Sequence, residues 1–343
     1  MRAILFDVHG GPEVLREGEV GMPILGEGEV LVRVKACALN QLDIWARKGV
    51  PSVRIPLPHT PGSDIAGIVA ETGPGVSGWS TGTEVVVSPG ISDGECEECA
   101  RGRENYCPNY RIIGYQVDGG YAEYIRVPSR NLLSKPRRLS FVEASSLPLV
   151  FLTAWRMLVG RARITTGETI LIVSAGSGVG SAAIQIAKLF HATVITTVGS
   201  DAKIEPARQL GADHVINRRR EDVYEATKKF TSGRGVDVVV EHVGTAIWDQ
   251  VVKTLGRDGR LVTCGATTGP RVSLDLRHIF AKQQSILGSY MGTKGDLVDA
   301  LAMVEKGLLR PVVDSVFRLE DVADAHRRLE SGEHFGKVVL SLE

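Results

Sequence analysis

Four residues with metal-binding side chains lie close together in one polar loop. They follow the pattern D-x2-C-x2-C-x7-C and are Asp93, Cys96, Cys99 and Cys107. Short x2 spacings let thiolates converge on one tetrahedral ion, and a carboxylate oxygen is an acceptable zinc ligand. Because four protein ligands would leave no position open for a substrate, we predict one structural Zn per chain. Ordinary loop cysteines, or a strained disulfide between Cys96 and Cys99, are the alternatives.

A second chemical signal is the run from Thr169 to Phe190, which is typical of a buried strand, a tight turn and an amphipathic helix. The strand is continuously apolar, as expected when a parallel strand is covered on both faces. The turn contains Gly176, Ser177, Gly178 and Val179. Such a turn lets backbone N–H groups approach a pyrophosphate at the positive end of the helix. The run therefore predicts a dinucleotide site, although glycine in a purely structural turn is the alternative.

The elements that follow the turn place it in a larger sheet. Strand patterns recur at 192–198, 214–217, 236–240 and 259–264, and helical patterns lie between them at 203–210, 222–230 and 246–255. Alternating strands and helices indicate a doubly wound parallel sheet.

The flanking segments have a different pattern. Short strands and Gly/Pro-rich turns before residue 150 predict a compact, partly closed β domain, and Ser140 with Glu143 predicts a helix-initiating capping box. The tail contains helical patterns at 296–307 and 319–331 and a last strand at 337–342. We expect the tail to return to the β domain, because the fifth sheet strand is complete by Cys264.

Composition excludes several kinds of partner. With 40 basic and 40 acidic side chains in 343 residues, the chain has no net charge, so neither nucleic acid nor an anionic membrane is an expected partner. No apolar run approaches the roughly 20 residues that a membrane-spanning helix needs. The N-terminal sequence lacks the apolar core of a signal peptide, and five cysteines do not suggest a secreted disulfide framework. A cytoplasmic location is therefore expected.

Together, the β-rich segment, the cysteine loop, the glycine turn and the returning tail resemble the medium-chain alcohol dehydrogenase/quinone reductase superfamily. The resemblance covers essentially the whole chain. It implies an α/β fold with a GroES-like catalytic domain at 1–150, a Rossmann NADP-binding domain at 151–287 and a C-terminal return at 288–343. In this family the cysteine loop usually has four cysteine ligands. A carboxylate at the first ligand position, where this chain has Asp93, is a known variation. The resemblance also implies a homodimer or homotetramer.

The catalytic metal site of the zinc-dependent members is not matched. Their two cysteine ligands and one histidine ligand correspond to Asn40, Leu149 and Ser63. The hydroxyl and imidazole of the proton relay would fall at Leu42 and Trp45, which cannot transfer a proton. His59 is an alternative displaced ligand, but we interpret it as a turn or surface histidine. The resemblance therefore implies that a catalytic zinc is absent.

Asn40 and Asp43 match an Asn and an Asp, three residues apart, in the zinc-independent quinone oxidoreductase branch. We take both as catalytic candidates, with Asn40 hydrogen-bonding the substrate carbonyl or the cofactor and Asp43 fixing local geometry. A purely structural role for both is the alternative.

The end of the second sheet strand bears on which dinucleotide is bound. NAD enzymes usually place an acid there to hold the ribose 2′-hydroxyl, but here the place holds Val198 or Gly199. Ser200 and Lys203 follow this strand, and the resemblance places Arg218 at the adenosine ribose, so that all three could donate to a 2′-phosphate. The sequence therefore favours NADP(H) over NAD(H).

The resemblance places further cofactor contacts at Thr153, Val243, Gly265 and Ala266. Without a metal, the carbonyl must be polarised by weaker hydrogen-bond donors. We therefore expect NADPH-dependent hydride transfer to a small apolar carbonyl, quinone, ketone or enone. An alcohol dehydrogenase and a non-catalytic NADPH-binding sensor or structural protein are the alternatives.

Overall fold

The computed structural model describes residues 1–50 and 53–343. The chain divides into two compact units, one formed by residues 1–149 and 293–343 and the other by residues 150–292. The C-terminal segment thus belongs to the first unit. The predicted boundary at 287/288 falls inside the strand Ser285–Gly288, which joins the parallel sheet, and the structure places the division at 292/293.

The first unit begins with nine strands and three α-helices in its described residues. The strands are β1 (Arg2–Leu5), β2 (Arg16–Glu19), β3 (Glu29–Ala38), β4 (Asp64–Thr72), β5 (Glu84–Val87), β6 (Gly90–Ile91), β7 (Arg111–Ile112), β8 (Tyr124–Pro128) and β9 (Leu132–Ser134), and the helices are α1 (Gln41–Lys48), α2 (Glu97–Ala100) and α3 (Phe141–Ser145). The predicted capping box of Ser140 and Glu143 is confirmed at the start of α3.

The chain passes into the second unit through α4 (Pro148–Trp155), followed by a π-helical turn at Arg156–Arg161. The second unit contains β10 (Thr169–Ile172), α5 (Gly178–Leu189), β11 (Thr193–Val198), α6 (Ile204–Gln209), β12 (His214–Asn217), α7 (Val223–Phe230), β13 (Val236–Glu241), α8 (Trp248–Lys253), β14 (Leu255–Thr263), α9 (Leu276–Lys282) and β15 (Ser285–Gly288). The tail adds α10 (Lys294–Glu305), β16 (Val313–Arg318), α11 (Val322–Glu330) and β17 (Lys337–Ser341) to the first unit.

The main sheet of the first unit is built around β3. Val30, Val32 and Val34 are buried on one face of this strand, and on the other face Arg33 is exposed while Leu31 and Cys37 are buried. The strand order is β16-β17-β3-β4-β5-β9, and β8 also pairs with β3. The last strand of the tail, β17, therefore lies beside β3 and carries Lys337 into the interior.

The sheet of the second unit is parallel throughout, with the order β12-β11-β10-β13-β14-β15. Leu171, Val239 and Leu261 from three of its strands are fully buried in one core cluster. The predicted doubly wound sheet is confirmed. Because the strands are parallel, their carboxyl ends share one edge, and in such sheets ligands bind at that edge.

No helix within 1–50 and 53–343 combines the length and apolar character needed to cross a membrane.

Candidate functional site

The glycine turn between β10 and α5 leads tightly from the strand into the helix. Ser177 caps α5: its hydroxyl oxygen accepts from the Gly180 N–H at 2.9 Å, and its proton is donated to the Ser174 carbonyl at 2.9 Å. A Cβ on Gly180 would lie 2.2 Å from that same carbonyl oxygen. Only glycine fits there, so the backbone of the turn lies close to the start of α5, and the positive end of a helix favours a phosphate.

Arg218 lies beside this turn. Its backbone N–H donates to the Val198 carbonyl at 3.1 Å, and its Nη1 donates to the Ser174 hydroxyl at 3.2 Å. A Cβ on Gly199 would lie 3.6 Å from Nη2 of Arg218, so the guanidinium passes over this glycine. The structure therefore brings Arg218 together with the turn and with the end of β11.

Ser200 and Lys203 begin and end one 3-10 turn that follows β11. The Lys203 N–H donates to the Ser200 carbonyl at 3.2 Å. Asp201, which lies between them, accepts from Asn217 Nδ2 at 2.7 Å and forms an ion pair with Arg220. Asp201, the one acid in this segment, is thus hydrogen-bonded to the end of β12, and its negative charge is paired with an arginine.

Glu241 organises the ends of β13 and β14. Its buried carboxylate accepts from the N–H groups of Val243 at 2.5 Å and Gly244 at 2.7 Å, and from the Thr263 hydroxyl at 3.2 Å. The Val243 carbonyl in turn accepts from the Thr268 N–H at 2.8 Å. The loops that carry Val243 and the pair Gly265–Ala266 are therefore tied together.

Thr153, on α4, is buried, and its hydroxyl has no hydrogen-bond partner among the described residues.

His242 follows β13 and contacts the glycine turn through Ser177. No sequence pattern singled out His242. The available signal was its place two residues after the predicted strand at 236–240, at the edge of the sheet where the glycine turn also lies.

A buried polar cluster in the first unit surrounds Asn40. Lys337 Nζ donates to Leu39 O at 2.6 Å, to Asn40 Oδ1 at 2.6 Å and to Asp64 Oδ2 at 2.9 Å. Asn40 Nδ2 also donates to Asp64 Oδ2 at 2.9 Å, and the other oxygen of Asp64 accepts from the Leu149 N–H at 2.7 Å. An ammonium group has three protons, so Lys337 is fully hydrogen-bonded in this arrangement.

Asp43 lies in the same region and is fully buried. Its carboxylate accepts from the Asn40 N–H at 2.6 Å, which is one bond of a capping box at the start of α1, and also from the Gly62 N–H at 3.0 Å. Burial raises the pKa of Asp43 to about 7, although these two hydrogen bonds and the Lys337 charge oppose the rise. Burial likewise raises the pKa of the Tyr121 hydroxyl well above its usual range.

Ser63 and His59, two residues considered as metal-ligand positions in the sequence analysis, are also buried. Ser63 is completely enclosed, and its hydroxyl has no partner among the described residues. His59 Nε2 lies 3.2 Å from the Gly114 carbonyl and Nδ1 lies 3.4 Å from Asp118, while burial lowers the pKa of the ring. Both ring nitrogens thus face polar partners inside the fold. His59 is only 1% exposed, so it is a buried loop histidine, and the expectation of a surface position is wrong.

The four residues of the cysteine loop converge. One ligand atom from each of Asp93, Cys96, Cys99 and Cys107 lies within 4.8 Å of the others, and no other such group is found in the part of the chain that the structure describes. The three cysteines are free thiols, which argues against the Cys96–Cys99 disulfide. The Asn109 N–H donates to Cys107 Sγ at 3.3 Å. Three thiols and one carboxylate, with a backbone donor to sulfur, form a donor set suited to tetrahedral zinc.

Hydrogen bonds from the N–H groups of Cys96 and Glu95 hold the pKa of Asp93 well below its usual range. Its carboxylate is therefore ionised and ready to serve as a ligand.

Comparisons with known proteins agree with this architecture. An alcohol dehydrogenase GroES-like domain matches residues 26–137, and a zinc-binding dehydrogenase domain matches residues 178–306. The NAD-dependent alcohol dehydrogenase of Sulfolobus acidocaldarius is 34% identical, with 100% of each chain covered. The chain belongs to the medium-chain dehydrogenase/reductase superfamily.

Two further members of the superfamily are similar along the whole chain. The quinone oxidoreductase of Homo sapiens is 30% identical, and the alignment covers 100% of this chain and 98% of the relative. The crystal structure of an NAD-dependent alcohol dehydrogenase has a TM-score of 0.97 and 47% identity, with 100% of each chain covered. The predicted superfamily and its GroES-like plus Rossmann fold are confirmed, and the protein is an oxidoreductase of the kind that uses a pyridine nucleotide.

Proposed function

We propose that this medium-chain oxidoreductase uses NADPH to reduce a small apolar quinone, ketone or enone without a catalytic metal. The bound dinucleotide supplies the hydride. The glycine turn holds the pyrophosphate, and Arg218, Ser200 and Lys203 bind the 2′-phosphate. Thr153, Val243, Gly265 and Ala266 line the nicotinamide end of the site.

The observation that carries the cofactor assignment is the position of Arg218. Its guanidinium contacts Ser174 of the glycine turn and passes over Gly199 at the end of β11. NAD enzymes usually have an acid at this strand end. The nearby acid, Asp201, is instead engaged by Asn217 and Arg220. A cation without a competing free carboxylate suits a doubly charged phosphate better than a hydroxyl.

The residues around Asn40 support a reaction without a catalytic metal. Asn40, Ser63 and Leu149 offer neither a thiol nor an imidazole, and the oxygens of Asn40 and Asp64 already bind the Lys337 ammonium. Quinones and conjugated carbonyls are electron-poor, so they depend less on a Lewis acid than simple ketones do. We assign Asn40 and Asp43 to shaping this site. Asn40 Nδ2 donates to Asp64 Oδ2 at 2.9 Å and to Ala38 O at 3.4 Å, and Asn40 Oδ1 accepts from Lys337, so these hydrogen bonds support a role in fixing local geometry.

We also propose that Asp93, Cys96, Cys99 and Cys107 hold one structural zinc. The four ligand atoms fill a tetrahedral shell by themselves, so this ion would stabilise its loop and take no part in hydride transfer.

Oxidation of alcohols with NAD is the second candidate. Two of the comparison proteins are named NAD-dependent alcohol dehydrogenases, and this supports the alternative cofactor and the opposite direction of reaction.

The cofactor assignment is tested with the double variant Lys203→Ala/Arg218→Ala. Each lost charge-assisted hydrogen bond is worth about 1.5–3 kcal/mol, so the KM for NADPH should rise by roughly 10-fold or more. The KM for NADH should stay within about twofold, because NADH lacks the phosphate that the two cations bind.

The matched control is Arg219→Ala, which removes an exposed neighbouring arginine. Activity is measured with NADPH and NADH against quinones, ketones, enones and alcohols. Equal losses with the two cofactors would refute the NADPH assignment, and turnover of alcohols alone would favour the second candidate.

A further inference from the structure

His242 ties the end of β13 to the glycine turn. Its Nε2 lies 3.1 Å from the Val173 carbonyl oxygen and 3.3 Å from the Ser177 hydroxyl. A carbonyl oxygen can only accept, so Nε2 must carry the ring proton. The Ser177 hydroxyl donates its own proton to Ser174, and its oxygen therefore accepts from the imidazole as well. One N–H group thus reaches both the residue before the turn and the cap of α5.

The turn depends on such contacts because its backbone is strained. Ser174 has a φ of 59°, a left-handed conformation that costs a residue other than glycine about 1 kcal/mol or more. Its N–H is held by the Thr197 hydroxyl at 2.9 Å, and its carbonyl accepts from the Ser177 N–H at 3.0 Å. His242 adds a hydrogen bond to Ser177, which is the last residue of the turn before α5.

The surroundings keep the His242 ring neutral. Desolvation lowers its pKa, and the positive charge of Arg218 lowers it further, while Glu241 and the Val173 carbonyl oppose the shift. A neutral ring has one N–H, and the structure directs it at Val173 and Ser177. A second positive charge beside Arg218 would be unfavourable.

We propose that His242 is a positioning residue for the dinucleotide: through Ser177 it fixes the glycine turn in the shape that receives the pyrophosphate. The inference rests on the proposed function, since it assumes that this turn binds NADPH. His242 does not touch the reacting atoms. Its loss should therefore weaken binding of the dinucleotide and spare the chemical step.

The test compares His242→Phe with His242→Gln. Phenylalanine keeps the ring volume and removes the N–H, whereas the glutamine amide nitrogen can reach the same two acceptors. Titration with NADPH and with NADH, followed by nicotinamide fluorescence, should give Kd values about 10-fold higher for His242→Phe, which corresponds to one or two neutral hydrogen bonds. His242→Gln should stay within about threefold of the wild type, and kcat at saturating NADPH should stay within about twofold for both.

The matched control is His214→Phe, at the start of β12, where the ring stacks on Phe230 with centroids 4.7 Å apart. This variant should bind NADPH as the wild type does. If His242→Phe is too unstable to assay, His242→Leu removes the same N–H with a smaller side chain and should also raise the Kd for both dinucleotides.

Normal NADPH affinity in His242→Phe, or equal loss in His242→Phe and His242→Gln, would overturn the positioning role while leaving the proposed function intact. A wild-type protein that binds neither NADPH nor NADH would overturn the proposed function itself.

Discussion

Asp43 is a carboxyl group whose ionisation is coupled to folding. It is fully buried, and burial raises its pKa to about 7. In the unfolded chain an aspartate has a pKa near 3.9. Between these two values the folded state holds the proton more tightly than the unfolded state, so this group favours folding at low pH, and its contribution is lost as the pH rises towards 7.

Comparison with Asp43→Asn isolates this effect. The asparagine does not titrate, so the free energy of unfolding of the wild type should fall relative to the variant by about 2–3 kcal/mol between pH 5 and pH 8. Urea unfolding at several pH values measures the difference. Asp299→Asn, at an exposed position in α10, should show no such trend. A difference between wild type and Asp43→Asn that stays constant with pH would contradict the raised pKa.

The surroundings of Asn40 show which residue contacts a sequence can and cannot predict. Asn40 and Asp43 share a local capping box, so their spacing of three residues already carries part of their geometry. Lys337, in contrast, is separated from Asp64 by 273 residues and reaches it only because β17 pairs with β3. No local pattern marks this lysine, since its partner depends on the register of two distant strands.

At the scale of elements, we expect a zinc ion bound by the cysteine loop to stabilise the first unit. We expect Cys107→Ser to reduce the zinc content from about one ion per chain towards zero and to lower the melting temperature, because structural zinc contributes directly to folding. Metal analysis and thermal unfolding measure the two effects on the same sample.

Glu95→Ala is the matched control for this loop. Glu95 lies between Asp93 and Cys96, is exposed and is not among the four converging ligands, so the variant should keep both its zinc and its melting temperature. Wild-type protein that contains no zinc, or a zinc-free variant of unchanged stability, would rule out a structural ion.

The parallel sheet was largely predictable because its strands have a strong local pattern. The predicted strand at 214–217 matches β12, and the one at 236–240 matches β13 to within one residue. The sixth strand, β15, was missed. It is only four residues long and mostly exposed, and it follows α9, a helix without buried residues. Neither an alternating pattern nor a buried apolar run therefore indicates a strand there.

At the scale of the whole molecule, β15 leaves one edge of the parallel sheet open. Within the described residues it pairs with β14 alone. Exposed apolar side chains lie on it and on the preceding segment, including Leu276, Phe280 and Ile286, of which Phe280 is 71% exposed. Soluble proteins usually cover or charge such edges. A second copy of the chain, related by a two-fold axis, would pair β15 with its own counterpart and bury these side chains in both copies.

We therefore expect a homodimer, or a tetramer built from such dimers, and Ile286→Lys should dissociate this pair. A two-fold axis brings the two introduced charges close together, so the mass measured by light scattering should fall by half, to that of the 36.9 kDa chain if the wild type is a dimer. Val316→Lys is the matched control, because Val316 is also an exposed apolar residue on an edge strand, β16 of the main sheet of the first unit. That variant should keep the wild-type mass. A monomeric wild type, or equal dissociation in the two variants, would show that the β15 edge does not hold the copies together.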